Sequence, residues 1–177
     1  MFYIFIENGK INGCGQAERL DDYIINYEVD EAFYNEFEQN PAMYMWDGLQ
    51  VVENPNYEQE QRLQQIKIKL VQADETYAKQ LDTPVQYTNG HLYKPKWVEE
   101  TYISLLTAGS MIPTMFPMLI WDSTELEKNA VLMTLEELQT LTMYLANIQQ
   151  QFFNERKALK SQLLNEKKEI KDSLEVE

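Results

Sequence analysis

Met118-Leu119-Ile120-Trp121-Asp122, then a polar bend, then Ala130-Val131-Leu132-Met133, then Thr134-Leu135-Glu136-Glu137-Leu138: this is the stretch on which the fold turns. Two short apolar runs either side of a bend read as strands, and the third piece opens a helix. Thr134 and Glu137 have the spacing of a capping box, and Glu136 and Glu137 complement the positive end of the helix dipole. From there Leu138, Leu141, Leu145, Ile148 and Phe152 recur at intervals of 3, 4, 3 and 4, with Tyr144 and Phe153 widening the stripe. That period predicts a helix packed on the domain over residues 135–154. Beyond it the apolar positions thin to Leu159, Leu163, Ile170 and Leu174 among Lys, Glu and Gln. Residues 155–172 therefore read as a projecting helix, fraying or assembling with other copies.

Upstream of this stretch, Met115 to Trp121 reads as a buried strand, with Pro117 placing it at an edge or bulge. Before it, Val98 to Ala108 reads as a helix presenting Trp97, Thr101, Leu105 and Ala108 on one face, with Gly109 as its C-cap. Thr88-Asn89-Gly90 marks a hairpin between Val85–Tyr87 and His91–Tyr93. A long helix is predicted from about Asn56 to Thr83. In it Leu63, Ile66, Leu70, Ala73 and Tyr77 follow the spacing of a coiled-coil seam, which packs on the C-terminal helix, on another copy or on a different protein. Residues 1–53 form an aromatic-rich β unit. Phe2–Ile6 and Ile11–Gln16 flank the turn signal Asn8-Gly9, and Tyr23–Val29 is a third strand. Asp30 caps a helix over Glu31–Gln39 with Phe33 and Phe37 inward, and a second hairpin surrounds Asp47-Gly48. The fold class is α+β. The chain divides into a β-rich module (1–53), a connecting amphipathic helix (54–83), an α+β domain (84–154) and a charged helical extension (155–177).

The 177 residues carry a net charge of −14. Residues 1–154 hold 9 Lys+Arg against 23 Asp+Glu, whereas residues 155–177 hold 6 of each. An acidic body repels phosphate backbones, which excludes nucleic acid as a primary partner and leaves solubility or a basic partner surface as the meaning of the charge. No run approaches the roughly 20 apolar residues of a membrane span, and the N-terminus lacks the basic and long apolar regions of a secretory leader. Neither membrane nor Sec export is expected.

The search for catalytic parts yields none. Cys14 is the only cysteine and His91 the only histidine, so no multi-Cys/His zinc site and no internal disulfide can form. Cys14 lies between two glycines with nothing basic adjoining it. No Ser or Cys is spaced to serve His91 as a nucleophile partner. Asp21-Asp22 and Glu99-Glu100 are sequence neighbours, which does not put their side chains on one face. Asp122 to Glu127 lacks the alternation and glycine of an EF-hand loop, and Met111, Met115 and Met118 read as core filler. No catalytic residue, cofactor or metal is expected.

The run Trp121-Asp122, a turn, Val131-Leu132-Met133-Thr134-x-Glu136-Glu137-Leu138-x-x-Leu141, and a helix ending Phe152-Phe153-x-x-Arg156-x-x-Leu159-Lys160 resembles the C-terminal half of an uncharacterised family of bacteriophage and prophage tail proteins. Its members are encoded near tail-fibre genes and often described as tail-fibre assembly proteins. The hairpin Val85-Gln86-Tyr87…Asn89-Gly90…Tyr93 and the helix after it are similar to that family's N-terminal half. The resemblance covers roughly residues 75–170, and residues 1–53 lie outside it. It implies a non-enzymatic protein that binds the tail fibre as an assembly chaperone or attachment factor, in the host cytoplasm during assembly. The alternative is a permanent baseplate or fibre adaptor of the virion that oligomerises through its helices. Aromatic residues dominate binding hot spots, which makes Tyr87, Tyr93 and Trp97 candidate partner anchors. Leu63, Ile66 and Leu70 are the candidate seam.

Overall fold

A computed structural model of the chain describes residues 1–123 and 129–174, so most of the predicted turn from Asp122 to Asn129 lies outside the described residues. The chain forms two compact units, residues 1–65 with 170–177 and residues 66–169. The division falls inside two helices, between residues 65 and 66 and between residues 169 and 170. The architecture is α+β.

In the first unit, β1 (Phe2–Glu7) is the middle strand of an antiparallel sheet between β2 (Lys10–Gly15) and β3 (Ile24–Val29). Asn8 and Gly9 both take positive φ, 51° and 74°, which is the twist a two-residue hairpin needs. Ile4 and Ile6 pack on Phe37 and Tyr44 to make the core. The opposite face of β1 is buried too. Phe5 lies beneath the Arg19 guanidinium, 4.3 Å from ring centre, and the Gly15 backbone approaches the same ring. Helix α1 (Glu31–Gln39) starts at Asp30, whose carboxylate accepts from the Phe33 N–H at 2.8 Å. The hairpin of β4 (Tyr44–Trp46) and β5 (Val51–Glu53) turns at Asp47, whose Oδ1 accepts from the N–H groups of Leu49 and Gln50. These backbone donors hold the Asp47 carboxyl below its ordinary range.

Helix α2 (Tyr57–Asp82) runs as its periodicity predicts, with Ile66 and Ala73 buried and Leu63, Leu70 and Tyr77 half-buried. In the second unit β6 (Val85–Gln86) pairs with β7 (Leu92–Tyr93). A π-helical turn (Val98–Tyr102) then runs into α3 (Ile103–Met111), and β8 (Met118–Trp121) pairs with β9 (Ala130–Met133) before α4 (Leu135–Leu174). Thr134 and Glu137 close the capping box: the Thr134 N–H donates to Glu137 Oε2 at 2.8 Å, and the Glu137 N–H donates to Thr134 Oγ1 at 3.2 Å. The Thr134 N–H and the Thr134 hydroxyl, both donating to Glu137 Oε2, hold the Glu137 carboxyl below its usual range. Leu138, Leu141 and Leu145 are fully buried with Tyr93, Val98, Tyr102, Ile120 and Met133.

Three sequence expectations are corrected here. The extension past residue 154 does not project. Within this unit α4 lies antiparallel on α2, with Asp74 accepting from Arg156 Nε at 2.6 Å and from Lys160 Nζ at 2.9 Å. Arg156 also covers the Tyr77 ring, and Leu163 is 4% exposed. The thin stripe on α4 suffices because the stripe of α2 completes it. Gly109 is not a C-cap. The helix continues to Met111, and Gly109 is buried where a Cβ would meet the Phe116 ring at 2.3 Å. Finally, β8 is buried on one face only. Ile120 is inward, whereas Leu119 and Trp121 are half exposed, as alternation in a two-stranded sheet dictates.

Candidate interaction surface

The segment from Trp97 to Trp121 contains two charged residues, Glu99 and Glu100, and is otherwise neutral and largely apolar. A helix that is apolar all round is normally buried. Yet α3 and the strand after it leave Ile103 50%, Met111 76%, Leu119 54% and Trp121 53% exposed. Leu132, the cross-strand partner of Leu119, is exposed with it, because directly paired residues share a face. Scattered exposed apolar residues are ordinary, but several drawn from one short run mark a surface that associates with something.

An apolar slot of about 160 Å³ opens in this surface between Trp97, Thr101 and Leu105 on one side and Leu119, Ile120 and Trp121 on the other, with Tyr102 lining it too. Trp97, Thr101 and Leu105 belong to the face that the sequence spacing groups with Ala108, and Trp97 and Leu105 are half-buried against the core. In the structure this face borders the slot, and the next face, with Val98, Tyr102 and Gly109, enters the core. Val98–Tyr102 forms a π-helical turn at the start of this segment. The Tyr102 hydroxyl is buried with no hydrogen-bond partner among the described residues, and burial pushes its phenol well above the ordinary tyrosine range.

The six candidate binding residues separate. Trp97 is half-buried at the slot. Tyr93 is fully buried and is a core residue, not an anchor, its hydroxyl accepting from Asn89 Nδ2. Tyr87 is half-buried against Tyr93 and Tyr144, 5.2 Å from the latter ring, and borders a cavity of about 510 Å³ with Thr88, Val131 and Thr134. Ile66 is buried, and Leu63 and Leu70 are half-buried. Leu119, Trp121 and Leu132 escaped the sequence reading, because four consecutive apolar residues in each strand conceal the alternation.

A second feature joins distant residues. His91 Nδ1 lies 2.8 Å from Asp122 Oδ2, with the carboxylate almost wholly buried and the imidazole about one-third exposed. Such a pair orients a histidine for proton transfer. Among the described residues, however, no serine or cysteine is hydrogen-bonded to its other nitrogen. The neighbouring Ser123 hydroxyl is donated to the Leu92 carbonyl. In this arrangement the pair ties the β6–β7 hairpin to the end of β8. No group of three or more His, Cys, Asp or Glu side chains among the described residues is placed to hold a metal.

In the first unit an open groove of about 790 Å³ is lined by Ile11, Phe37, Tyr44, Trp46 and the charged Lys10 and Glu60. Residues 1–65 carry 13 Asp+Glu against 3 Lys+Arg, while residues 66–169 carry 13 against 11, so the acidity belongs mainly to this unit. No described helix is long and apolar enough to cross a membrane. The chain matches no family model, no curated protein and no solved structure.

Proposed function

We propose that this chain is a non-enzymatic bacteriophage or prophage tail protein that binds the tail fibre, as an assembly chaperone or attachment factor. The tail-fibre assignment rests on the sequence resemblance over residues 75–170. The binding role is supported by one observation: the exposed apolar run of the second unit, from Ile103 through Trp121 with Leu132 beside it. Exposed apolar surface of this kind suits capture of a partner that is itself apolar until assembled. The strong negative charge keeps a protein carrying such a surface dispersed. The alternative, a virion adaptor oligomerising through its helices, draws less support. The seam residues Ile66 and Ala73 and the facing Leu163 are buried within one copy.

The test is co-expression with the tail-fibre protein encoded beside this gene. The chain is expected to co-purify with it and to raise its soluble yield. Absence of a tail-fibre gene from the neighbourhood, or no association on co-expression, overturns the reading. Purified particles separate the two roles: an assembly chaperone is missing from them, an adaptor is present in fixed copy number.

A further inference from the structure

We infer that the open edge of β3 takes an extended segment of a second protein as a fourth strand, one in which Lys or Arg alternates with apolar residues. This edge lies in the first unit, outside the residues of the tail-protein resemblance, and the inference stands apart from the tail-fibre reading. The sheet order β2-β1-β3 leaves two edges, and they differ. β2 carries Lys10, Gly13, Gly15 and a break in register opposite the Ile4–Ile6 stretch, the devices by which an edge refuses another strand. β3 has no Gly, Pro, Lys or bulge, and it pairs with β1 without a break from Phe2↔Val29 to Glu7↔Ile24. Glu7 and Lys10 flank the two-residue turn and bond to each other, so alternation along β1 turns the backbone of Ile6, Ile4 and Phe2 towards Ile25, Tyr27 and Val29. The backbone N–H and C=O groups of Asn26 and Glu28 consequently point out of the sheet. Among the described residues nothing is hydrogen-bonded to them. The Asn26 side chain does not cap the edge, because it is engaged with the Arg19 backbone: Oδ1 accepts from the N–H and Nδ2 donates to the carbonyl, both at 2.9 Å.

What lies beside the edge selects the occupant. Tyr27, Val29, Phe33 and Val51 line an opening of about 280 Å³ there, together with Glu28 and Asp30. Tyr27 and Val29 stand on one face of β3 and Glu28 on the other, so an added strand meets apolar wall on one side and a carboxylate on the other. Residues 18–31, which contain β3 and both its flanks, hold six exposed acids, Glu18, Asp21, Asp22, Glu28, Asp30 and Glu31, against one base, Arg19. The Arg19 guanidinium lies over Phe5 of the central strand, 4.3 Å from the ring centre. A basic segment is therefore drawn to this edge, and an acidic one is repelled. The same charges disfavour a second copy of this chain. Two β3 edges paired antiparallel about Asn26 bring Asp22 of each copy to Asp30 of the other, and pairing about Ile25 brings Asp22 to Glu28. Like charges directly opposite each other are destabilising.

The experiment is selection of a random decapeptide display library on the full-length protein, followed by fluorescence polarisation with synthetic copies of the enriched peptides. The expected outcome is enrichment of peptides free of Pro in which Lys or Arg alternates with Val, Ile, Tyr or Phe. N-methylation of alternate peptide nitrogens keeps every side chain and removes the donors of one strand edge. It should abolish binding when placed on one edge of the peptide and leave binding intact when placed on the other. Glu28→Lys, an exposed substitution, should weaken binding about tenfold, and changing the Lys and Arg of the peptide to Glu should abolish it. Bound peptide should slow hydrogen exchange at the Asn26 and Glu28 amides. Met143→Asp, on exposed surface of the second unit, should bind as wild type, and circular dichroism melts establish that each variant is folded. No enrichment, enrichment without basic residues, or binding unchanged in Glu28→Lys or by N-methylation of either edge overturns the inference. A dimer in sedimentation with the Asn26 and Glu28 amides protected overturns it in favour of a second copy.

Discussion

His91 and Asp122, thirty-one positions apart, meet through an Nδ1–Oδ2 contact of 2.8 Å that closes the second unit between its small hairpin and β8. The carboxylate is about 1% exposed, so it depends on its hydrogen-bond partners far more than a surface carboxylate does. Removing one partner of a buried charged group costs more than the bond contributes net, because desolvation is then uncompensated. His91→Ala is expected to lower unfolding stability by about 1–3 kcal/mol, measured by urea denaturation at pH 7. His91→Asn, which keeps a donor near the carboxylate, should recover part of it. An unchanged midpoint for His91→Ala shows that the contact holds nothing together.

Gly109 and Phe116 give a second prediction, one that opposes local propensity. An alanine inside a helix usually gains about 1 kcal/mol over glycine. Here the added methyl would lie 2.3 Å from the Phe116 ring and 2.9 Å from Leu135 Cδ1. Overpacking of this kind typically costs about 1–3 kcal/mol, so Gly109→Ala should be a net loss. The control is Ser110→Ala, one residue on and exposed, which should be near neutral in the same melts. Stabilisation by Gly109→Ala would place the glycine at the helix end that its sequence suggests.

These two residues show what the sequence could and could not disclose. Features set within a few positions were legible: the Thr134–Glu137 box, the Asp30 cap, the Asn8-Gly9 turn and the stripe Leu138, Leu141, Leu145. Each depends on neighbours in the chain. Gly109 misled because a glycine near a helix end fits both a C-cap and a close approach, and only the distant Phe116 decides between them. Nothing local links His91 to Asp122, thirty-one positions away, so only the fold brings them together. The slot was hidden for a different reason. It depends on β8 coming to lie beside Trp97, Thr101 and Leu105, and nothing in the local spacing of either run fixes that meeting.

Asp74 offers a test by pH. Hydrogen bonds from Lys160 and Arg156 hold its carboxyl below the ordinary aspartate value of 3.8. A folded-state value below the unfolded one means that the contribution is present above the unfolded pKa and is lost as pH falls through the folded one. Thermal melts of wild type and Asp74→Asn should therefore differ by a constant amount above about pH 5. The difference should shrink as the pH falls below about 4. The side chain is 46% exposed, so about 0.5–1 M salt should narrow the gap as well. A gap that is independent of both pH and salt assigns the effect to packing of the aspartate stem rather than to its charge.

Leu163 and its neighbour Leu164 decide whether the far part of α4 belongs to the folded unit. Leu163 is 4% exposed and lines the α2–α4 groove with Ala73, while Leu164 is 50% exposed. Truncating a buried leucine leaves a cavity and typically costs about 2–5 kcal/mol, whereas an exposed substitution stays within about 0.5 kcal/mol. A two-helix seam can collapse around the loss more readily than a closed core. Leu163→Ala should accordingly fall at the lower end, about 2 kcal/mol, and Leu141→Ala in the central cluster should cost more. Leu164→Ala should be silent. Hydrogen exchange supplies an independent reading: amides around Leu163 should be protected in wild type and exchange faster in Leu163→Ala. A projecting helix predicts the opposite pattern, with Leu163 and Leu164 equally tolerant and both exchanging at the rate of a frayed end.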